Sequence, residues 1–290
     1  MSEIDNEINE EEKKYYEKIY NHFTKANEAL NIGDFESARD ELKAFLEIEK
    51  KIIENKEDDE VIYTSGNIAE YMLCCEYEIK VKDNRKVNDP HIDLVGAYLN
   101  LGCIEVEFNN LDVALDYLDK ALEYNPYNYH VRSEIIDIYK RKEDLDKVKA
   151  LIEESYEFIY KPEDLARYYR DLGYYYIEKN EFELAKSLYV FSAMFDETKQ
   201  DIVLNELNYI YSITHDENLP DIGKAFETLN SKNIPTFFNK ENMAIVLQTE
   251  NQLIKDNLIN TELGIEVKMV ADFYRNIAGM NDENKDDNKE

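Results

Sequence analysis

The sequence predicts an all-α protein made of helix pairs that recur along the chain. Four short segments share one pattern: a residue suited to ending a helix, a capping residue, an apolar residue and, three positions later, a small or branched residue. The apolar residues of the last three segments, Leu111, Leu145 and Phe182, lie 34 and 37 residues apart. Glycine and proline are scarce, at 8 and 5 of 290 residues, which is typical of a mostly helical chain.

Each of the four segments predicts a turn between two paired helices. Its first residue tolerates the left-handed conformation that ends a helix, and the next residue can cap the following helix. The apolar residue packs in the corner, and the small residue lets the second helix approach the first closely. The segments are Gly33-Asp34-Phe35-x2-Ala38, Asn109-Asn110-Leu111-x2-Ala114, Glu143-Asp144-Leu145-x2-Val148 and Asn180-Glu181-Phe182-x2-Ala185.

Two stretches carry a longer pattern around such a turn. In residues 95–128 its members are Tyr98, Leu101, Gly102, Ala114, Leu118, Ala121 and Pro126. In residues 166–199 they are Tyr169, Leu172, Gly173, Tyr176, Ala185 and Tyr189. In residue type and spacing both stretches resemble the tetratricopeptide repeat, whose period is about 34 residues. The resemblance covers residues 15–235 and implies a right-handed α-solenoid of helix-turn-helix repeats.

The 76 residues between Phe35 and Leu111 require one further, irregular unit. Its helix is predicted to run from about Glu60 to Val81 and to end at the polar residues 82–86. The prediction depends on an apolar stripe at helical spacing. Its members are Ile68, Met72, Cys75 and Ile79.

The next helix is predicted to begin at Asp89 and Pro90, with the aspartate as cap and the proline in the first turn. A degenerate pair of helices is predicted after the second clear repeat. Its first helix spans about 202–213, its second starts at Pro220, and Pro235 closes it.

Residues 236–280 contain two further predicted helices, near Lys240–Leu258 and Glu262–Ile277, that lack the repeat pattern. Repeat arrays need terminal units with a polar outer face, so we expect these two helices to cap the solenoid. The acidic segment 1–14 is predicted to form the start of the first helix. Residues 281–290 contain no apolar side chain and are predicted to be a disordered acidic tail.

The composition limits the classes of partner. The formal net charge is −30, with 64 acidic against 34 basic residues, so nucleic acid and anionic membranes would be repelled. The first residues lack a secretory signal, and no stretch approaches the roughly 18 apolar residues of a membrane span. We therefore expect a cytoplasmic protein. Three cysteines with no C-x-x-C spacing are expected to be reduced, buried thiols.

The sequence contains no phosphate loop, nucleophile elbow or H-E-x-x-H motif, and we predict neither an enzyme nor a cofactor. His130 and Glu134 have the i, i+4 spacing of two metal ligands on one helix face, but further ligands are missing. No metal site is predicted from them.

The resemblance also implies a binding surface, because the first helices of tetratricopeptide repeats line a concave groove. The predicted ligand-binding residues are His130, Lys140, Arg141, Arg167, Arg170 and Tyr174. Such a basic patch would attract an acidic peptide or a C-terminal carboxylate. An alternative remains open, in which these bases pair with acids of the same or neighbouring helices. The acids concerned are Glu134, Asp137, Asp171 and Glu178.

The predicted function is that of a non-catalytic scaffold or adaptor whose groove binds a peptide or a protein segment. Two alternatives are a regulatory peptide sensor and a scaffold that assembles with itself through uncovered solenoid ends. An enzyme confined to residues 240–277 is a third and weaker alternative, since that region contains no histidine or cysteine.

Overall fold

The computed structural model of the chain describes residues 10–54 and 57–279. The described residues are mostly helical and form thirteen α-helices that pack largely in sequential pairs. The prediction of a mostly helical chain whose helices pack largely in sequential pairs is therefore confirmed. The predicted disordered tail, residues 281–290, and most of the segment 1–14 lie outside the described residues.

The α-helices are α1 (Glu10–Asn31), α2 (Phe35–Glu54), α3 (Ile68–Val81), α4 (Leu94–Glu107), α5 (Leu111–Tyr124), α6 (Tyr129–Arg141), α7 (Leu145–Ser155), α8 (Pro162–Glu178), α9 (Phe182–Ser192), α10 (Gln200–Thr214), α11 (Ile222–Ser231), α12 (Lys240–Lys255) and α13 (Glu262–Ile277). Two short strands, β1 (Glu60–Ile62) and β2 (Lys86–Asn88), pair in parallel. Short 3-10 helices occupy Tyr156–Phe158 and Glu197–Lys199.

The chain divides into two compact units. The first contains the described residues of Met1–Thr64 and Asp83–Asn125. The second contains those of Ser65–Lys82 and Pro126–Glu290. The first unit has a core of apolar residues from α1, α2 and α4, to which β1 adds Ile62. None of the helices in the described part of the chain has the length and apolar character of a membrane span.

The four predicted turns are confirmed by the backbone. Each apolar corner residue is the first residue of a second helix: Phe35 of α2, Leu111 of α5, Leu145 of α7 and Phe182 of α9. Two residues earlier the backbone is left-handed, with φ of 75° at Gly33, 59° at Asn109, 58° at Glu143 and 59° at Asn180. The residue between them donates its amide to the carbonyl five residues back, over 2.8–3.1 Å, which is the hydrogen bond of a Schellman motif.

The small residues after these turns lie at close helix contacts. Ala38, Ala114, Val148 and Ala185 are fully buried. Two glycines serve the same purpose in the first helices of their pairs: a Cβ at Gly102 would lie 2.7 Å from the Leu118 side chain, and one at Gly173 would lie 2.7 Å from the Tyr189 ring. Larger residues at these positions would push the paired helices apart.

The capping prediction holds at two of the four turns. Asp34 and Asp144 accept hydrogen bonds from backbone amides three residues later, at 3.1 and 3.0 Å. Asn110 instead donates its side-chain amide to Glu105 over 2.7 Å. Glu181 makes no side-chain cap and lies 3.3 Å from Lys232. A competing side-chain partner thus replaces the local cap at these two turns.

The predicted helix from Glu60 to Val81 is wrong in its first part. Residues 60–62 form β1, and α3 begins only at Ile68, because Asn67 accepts a hydrogen bond from the Glu70 amide at 2.9 Å. The apolar stripe from which this helix was predicted does not face the core over its whole length. Met72 and Ile79 are 38% and 55% exposed, and the apolar residues that face the core are Ala69, Leu73 and Cys74.

The predicted start of the following helix is wrong as well, since α4 begins at Leu94 rather than at Pro90. His91 is left-handed, with φ of 56°, and interrupts any helix there. Asp89 accepts a hydrogen bond from the His91 amide at 2.8 Å and forms a local turn. The cap of α4 is Asp93, which accepts from the Gly96 amide at 2.7 Å.

In the second unit, helix packing departs from strict sequence order. α6 pairs with α7, α8 with α9, and α12 with α13, while α10 and α11 both pack against α9. Helix α3, which comes long before these helices in the chain, packs against α12 and α13. This long-range contact creates a surface that no single pair of sequential helices contains.

Candidate functional site

The predicted basic residues lie on two neighbouring helices of the second unit. His130, Lys140 and Arg141 belong to α6, and Arg167 and Arg170 belong to α8, which contacts α6. Lys140 and Arg167 meet in one ionic cluster. His130 lies ten residues before Lys140 on α6, which corresponds to about 15 Å along the helix axis.

Lys140 and Arg167 share two carboxylate partners, Asp137 and Asp171. We call these four residues the α6–α8 ionic cluster. The Lys140 ammonium lies 2.6 Å from Asp171 and 2.9 Å from Asp137. The Arg167 guanidinium lies 2.7 Å from Asp137 and 3.1 Å from Asp171. The side chain of Asp171 is only 2% exposed, so Lys140 and Arg167, and not water, are its main polar neighbours. The α6–α8 ionic cluster therefore contains two positive and two negative groups.

The pKa directions agree with this pairing. Burial alone would raise the pKa of Asp137, but Lys140 and Arg167 hold it below its usual range. Burial alone would lower the pKa of Lys140, but Asp171 and Asp137 raise it. Burial would likewise lower the pKa of Arg167, which the same two carboxylates raise. Asp137, Lys140 and Arg167 are thus charged near neutral pH.

The other predicted site residues have separate surroundings. Arg170 lies 3.5 Å from Asp196, and both side chains are at least nine-tenths buried, so burial lowers the pKa of Arg170. His130 lies 3.5 Å from Glu134 at the exposed start of α6. The Tyr174 ring lies 4.9 Å from the Lys140 ammonium, and Arg141 is exposed. Lys140 and Arg167 thus form ion pairs with acids of their own and the neighbouring helix, which is the alternative that the sequence left open.

A second surface of the same unit lies between α3 and α12, and we call it the α3–α12 groove. It consists of two adjoining depressions with volumes of about 360 and 470 Å³. Both depressions are lined by Glu76 of α3 and Ile245 of α12, which mark the middle of the groove.

The two walls are held in place by buried hydrogen bonds. Tyr160, which precedes α8, is fully buried; its hydroxyl accepts from Asn67 at 3.0 Å and donates to Glu70 at 3.3 Å, which anchors the start of α3. Asn242 of α12 donates to the backbone carbonyls of Glu157 and Ile159 at 2.9 and 3.1 Å. Both helices are therefore tied to the connection between α7 and α8.

One end of the α3–α12 groove has an aromatic floor. Tyr77, Tyr127 and Phe158 contact one another with ring centroids 5.5–6.4 Å apart. The Arg132 guanidinium lies 3.5 Å from the centroid of the Phe158 ring, and burial lowers the pKa of Arg132 to about 10. The arginine remains charged at neutral pH and packs against the aromatic floor.

The other end of the groove is aliphatic. Its lining contains the buried Leu253 and several apolar side chains that remain accessible. Met72 is 38%, Leu258 39% and Leu263 45% exposed, whereas core residues of this unit are almost completely covered. Accessible apolar side chains that share one concave surface are typical of a binding site.

The rim of the α3–α12 groove is acidic. Its lining contains one cation, Lys80, which lies 3.1 Å from Glu241 and 3.7 Å from Glu76. The acidic lining residues are Glu76, Glu154, Glu157, Glu241 and Asp256. The groove thus combines apolar walls with an excess of negative charge.

Sequence reasoning missed this groove because its walls are far apart in the chain. Ile68, Met72 and Glu76 form an i, i+4 row on α3, and the apolar members of this row belong to the stripe from which the helix was predicted. Their exposure depends on where α12 packs, more than 160 residues later. The mixed apolar and acidic composition of the row was the one available signal.

Comparison of the chain with the models of known protein families gives no match, and no curated protein sequence matches it significantly. Within the described residues, no group of three or more His, Cys, Asp or Glu side chains is placed to hold a metal ion. The three cysteines form no disulfide among the described residues; Cys74 is buried, whereas Cys75 and Cys103 are partly exposed.

Proposed function

We propose that the protein is a non-catalytic adaptor that binds a segment of another protein. In this proposal its architecture is a right-handed solenoid of tetratricopeptide-like repeats with α12 and α13 as capping helices. Four turns with the same backbone geometry and the close approaches at Gly102 and Gly173 support the repeat assignment.

The observation that carries the adaptor proposal is the α3–α12 groove. Its accessible apolar side chains would gain free energy on being covered, by about 25 cal/mol for each Å² of apolar surface removed from water. Its walls are anchored by buried hydrogen bonds, so little ordering is needed before a ligand binds. The groove also extends along two helices, a shape that suits a protein segment.

The test compares capture of partners from the native cell extract by three forms of the protein. One variant, Met72→Gln with Leu263→Gln, makes two exposed groove positions polar without changing charge. The control variant, Ile265→Gln with Met269→Gln, makes the same kind of change at exposed positions of α13 that do not line the groove. A partner kept by the control and lost by the groove variant supports the proposal; equal capture by all three forms overturns it.

A second candidate function, self-association, is favoured by α10. This helix packs on α9 through Val203, Leu207 and Ile210 and leaves large apolar side chains exposed on both sides of that contact. They are Ile202, Leu204, Tyr209, Tyr211 and Ile213. Light scattering over a range of concentrations tests this candidate. A molar mass that stays at 34.3 kDa contradicts it, and a mass that rises with concentration supports it.

A further inference from the structure

We infer that the α3–α12 groove accepts an amphipathic helix with a basic polar side, supplied by a different protein. The inference rests on the proposed adaptor function and specifies the chemistry of its ligand. It is carried by the geometry of the two walls and by the charge of the rim.

The geometry of the walls points to a helical ligand. At one end of the groove residues 76–81 of α3 face residues 239–245 of α12, and at the other end 68–76 face 245–258. The two helices are therefore antiparallel along the groove. Helix α3 has 14 residues and is about 21 Å long, which is the length of a ligand helix of about 14 residues.

The rows of side chains on both walls have helical spacing. Ile68, Met72 and Glu76 follow one another at i, i+4 along α3. Residues 241, 245, 248, 252 and 256 form the matching row on α12. A third helix can place its own i, i+4 ridge between two such rows, as helices do in protein cores. An apolar stripe on the ligand would cover Met72, Leu258 and Leu263.

The rim requires that the remaining side of this helix be basic. Lys80 offsets part of the charge of Glu76 and Glu241, and Arg132 lies 3.7 Å from Glu154. The hydrogen bonds to the other two acids come from neutral amides: Asn239 donates to Glu157 at 2.8 Å, and Gln252 donates to Asp256 at 2.9 Å. These bonds bring no positive charge to the two carboxyl groups, and lysine or arginine on the ligand would supply it.

The same charge argues against the chain's own segments as ligands. Residues 1–9 contain three acids and no base, and residues 280–290 contain five acids and two lysines. A second copy of the chain carries the same formal charge of −30. Each would bring like charge to an acidic rim. A basic partner is the ligand that the groove complements.

Three synthetic peptides of about 14 residues test the inference. They share one apolar face at i, i+4 spacing, and their polar face carries lysine, glutamine or glutamate. Binding to the full-length protein is measured by fluorescence anisotropy at low and moderate salt. We expect the lysine peptide to bind at least about tenfold more tightly than the glutamate peptide, with an affinity that falls as salt rises.

Matched variants locate the charge effect. Glu76→Gln with Glu241→Gln removes two charges from the rim, and we expect it to weaken the lysine peptide several-fold. Glu217→Gln with Glu227→Gln removes the same charge from exposed positions that do not line the groove. The control should change the affinity less than the rim variant does.

The outcomes separate this inference from the function on which it rests. If the glutamine or glutamate peptide binds as tightly as the lysine peptide, or if no peptide binds, the basic ligand is ruled out; a groove-dependent partner from the extract would still support the adaptor. If the rim and control variants weaken the lysine peptide equally, binding is governed by net charge and the inference is overturned. Loss of groove-dependent capture would remove the adaptor function itself.

Discussion

The α6–α8 ionic cluster and the α3–α12 groove belong to the same unit, but they differ in what they leave for a ligand. In the cluster, two cations are already bonded to Asp137 and Asp171 over 2.6–3.1 Å. In the groove, apolar side chains remain accessible and acidic groups exceed basic ones. A ligand would have to displace existing partners in the first case and only water in the second.

This difference shows that the partners of a charged side chain, and not its sign alone, decide how much of its charge remains for a ligand. Lys140 and Arg167 were predicted to attract an acidic ligand. Their carboxylate partners come from both helices, and Asp171 is buried with them. An acidic peptide would then compete with carboxylates that are held permanently at close range. We expect the cluster to stabilise the contact between α6 and α8.

The largest expected effect is the loss of the buried carboxylate of the cluster. Asp171→Asn keeps the shape of the side chain but leaves Lys140 and Arg167 without their shared negative partner. We expect the free energy of unfolding to fall by about 3 kcal/mol, because breaking a buried ion pair strands a charge. Urea unfolding measures it. The control, Glu178→Gln at an exposed position of α8, should stay within about 0.5 kcal/mol of the wild type.

The second effect concerns the arginines of the predicted basic site. Arg167→Ala with Arg170→Ala removes partners of Asp137, Asp171 and Asp196, and we expect each substitution to cost about 1 kcal/mol of stability. Arg141→Ala, at an exposed position, should cost little. If the double variant keeps its stability but binds a glutamate-rich peptide more weakly, the arginines do not stabilise the helix contact. That result would support the predicted acidic ligand instead.

The third prediction is a loss of binding affinity with little change in stability, whereas the first two are losses of stability. In the groove variant Met72→Gln with Leu263→Gln, we expect each substitution to change stability by less than about 0.5 kcal/mol, because both side chains are exposed. The affinity for the lysine peptide should fall about tenfold, which corresponds to about 1.4 kcal/mol of binding free energy. A stability loss as large as that of Asp171→Asn would mean that the groove is a part of the core.

The smallest effect is the pH dependence of the cluster. The pKa of Asp137 is lowered in the folded state, so its contribution to stability is present above the unfolded pKa of about 3.9 and is lost as pH falls through the folded value. The pKa of Lys140 is raised, so its contribution is lost only as pH rises through a folded value above the usual 10.5. The free energy of unfolding should therefore fall less between pH 4 and pH 2 in Asp137→Asn than in the wild type. If the free energy of unfolding depends equally on pH in both proteins, Asp137 does not contribute to the loss of stability in acid.

The sequence by itself determined the local structure of the four helix-helix turns. Gly33, Asn109 and Asn180 end their helices in the left-handed conformation, and each turn depends on a hydrogen bond that spans only five residues. A residue that favours the left-handed conformation can end a helix in this way wherever a helix precedes it, because only neighbouring residues take part. The pairing of helices follows from the same turns, since a short connection brings the second helix back against the first.

Only the tertiary structure decided where the surfaces lie. Met72 lies on an apolar stripe in the sequence, and whether that stripe faces the core or solvent depends on α12, which follows it by more than 160 residues. Whether the charge of Lys140 is available to a ligand likewise depends on Asp171, which lies on another helix and pairs with it. Local conformational energies act over a few residues, whereas burial and charge pairing depend on packing between distant helices. A sequence pattern therefore predicts the turns of this protein. It does not determine which apolar side chains are exposed or which charged side chains are paired.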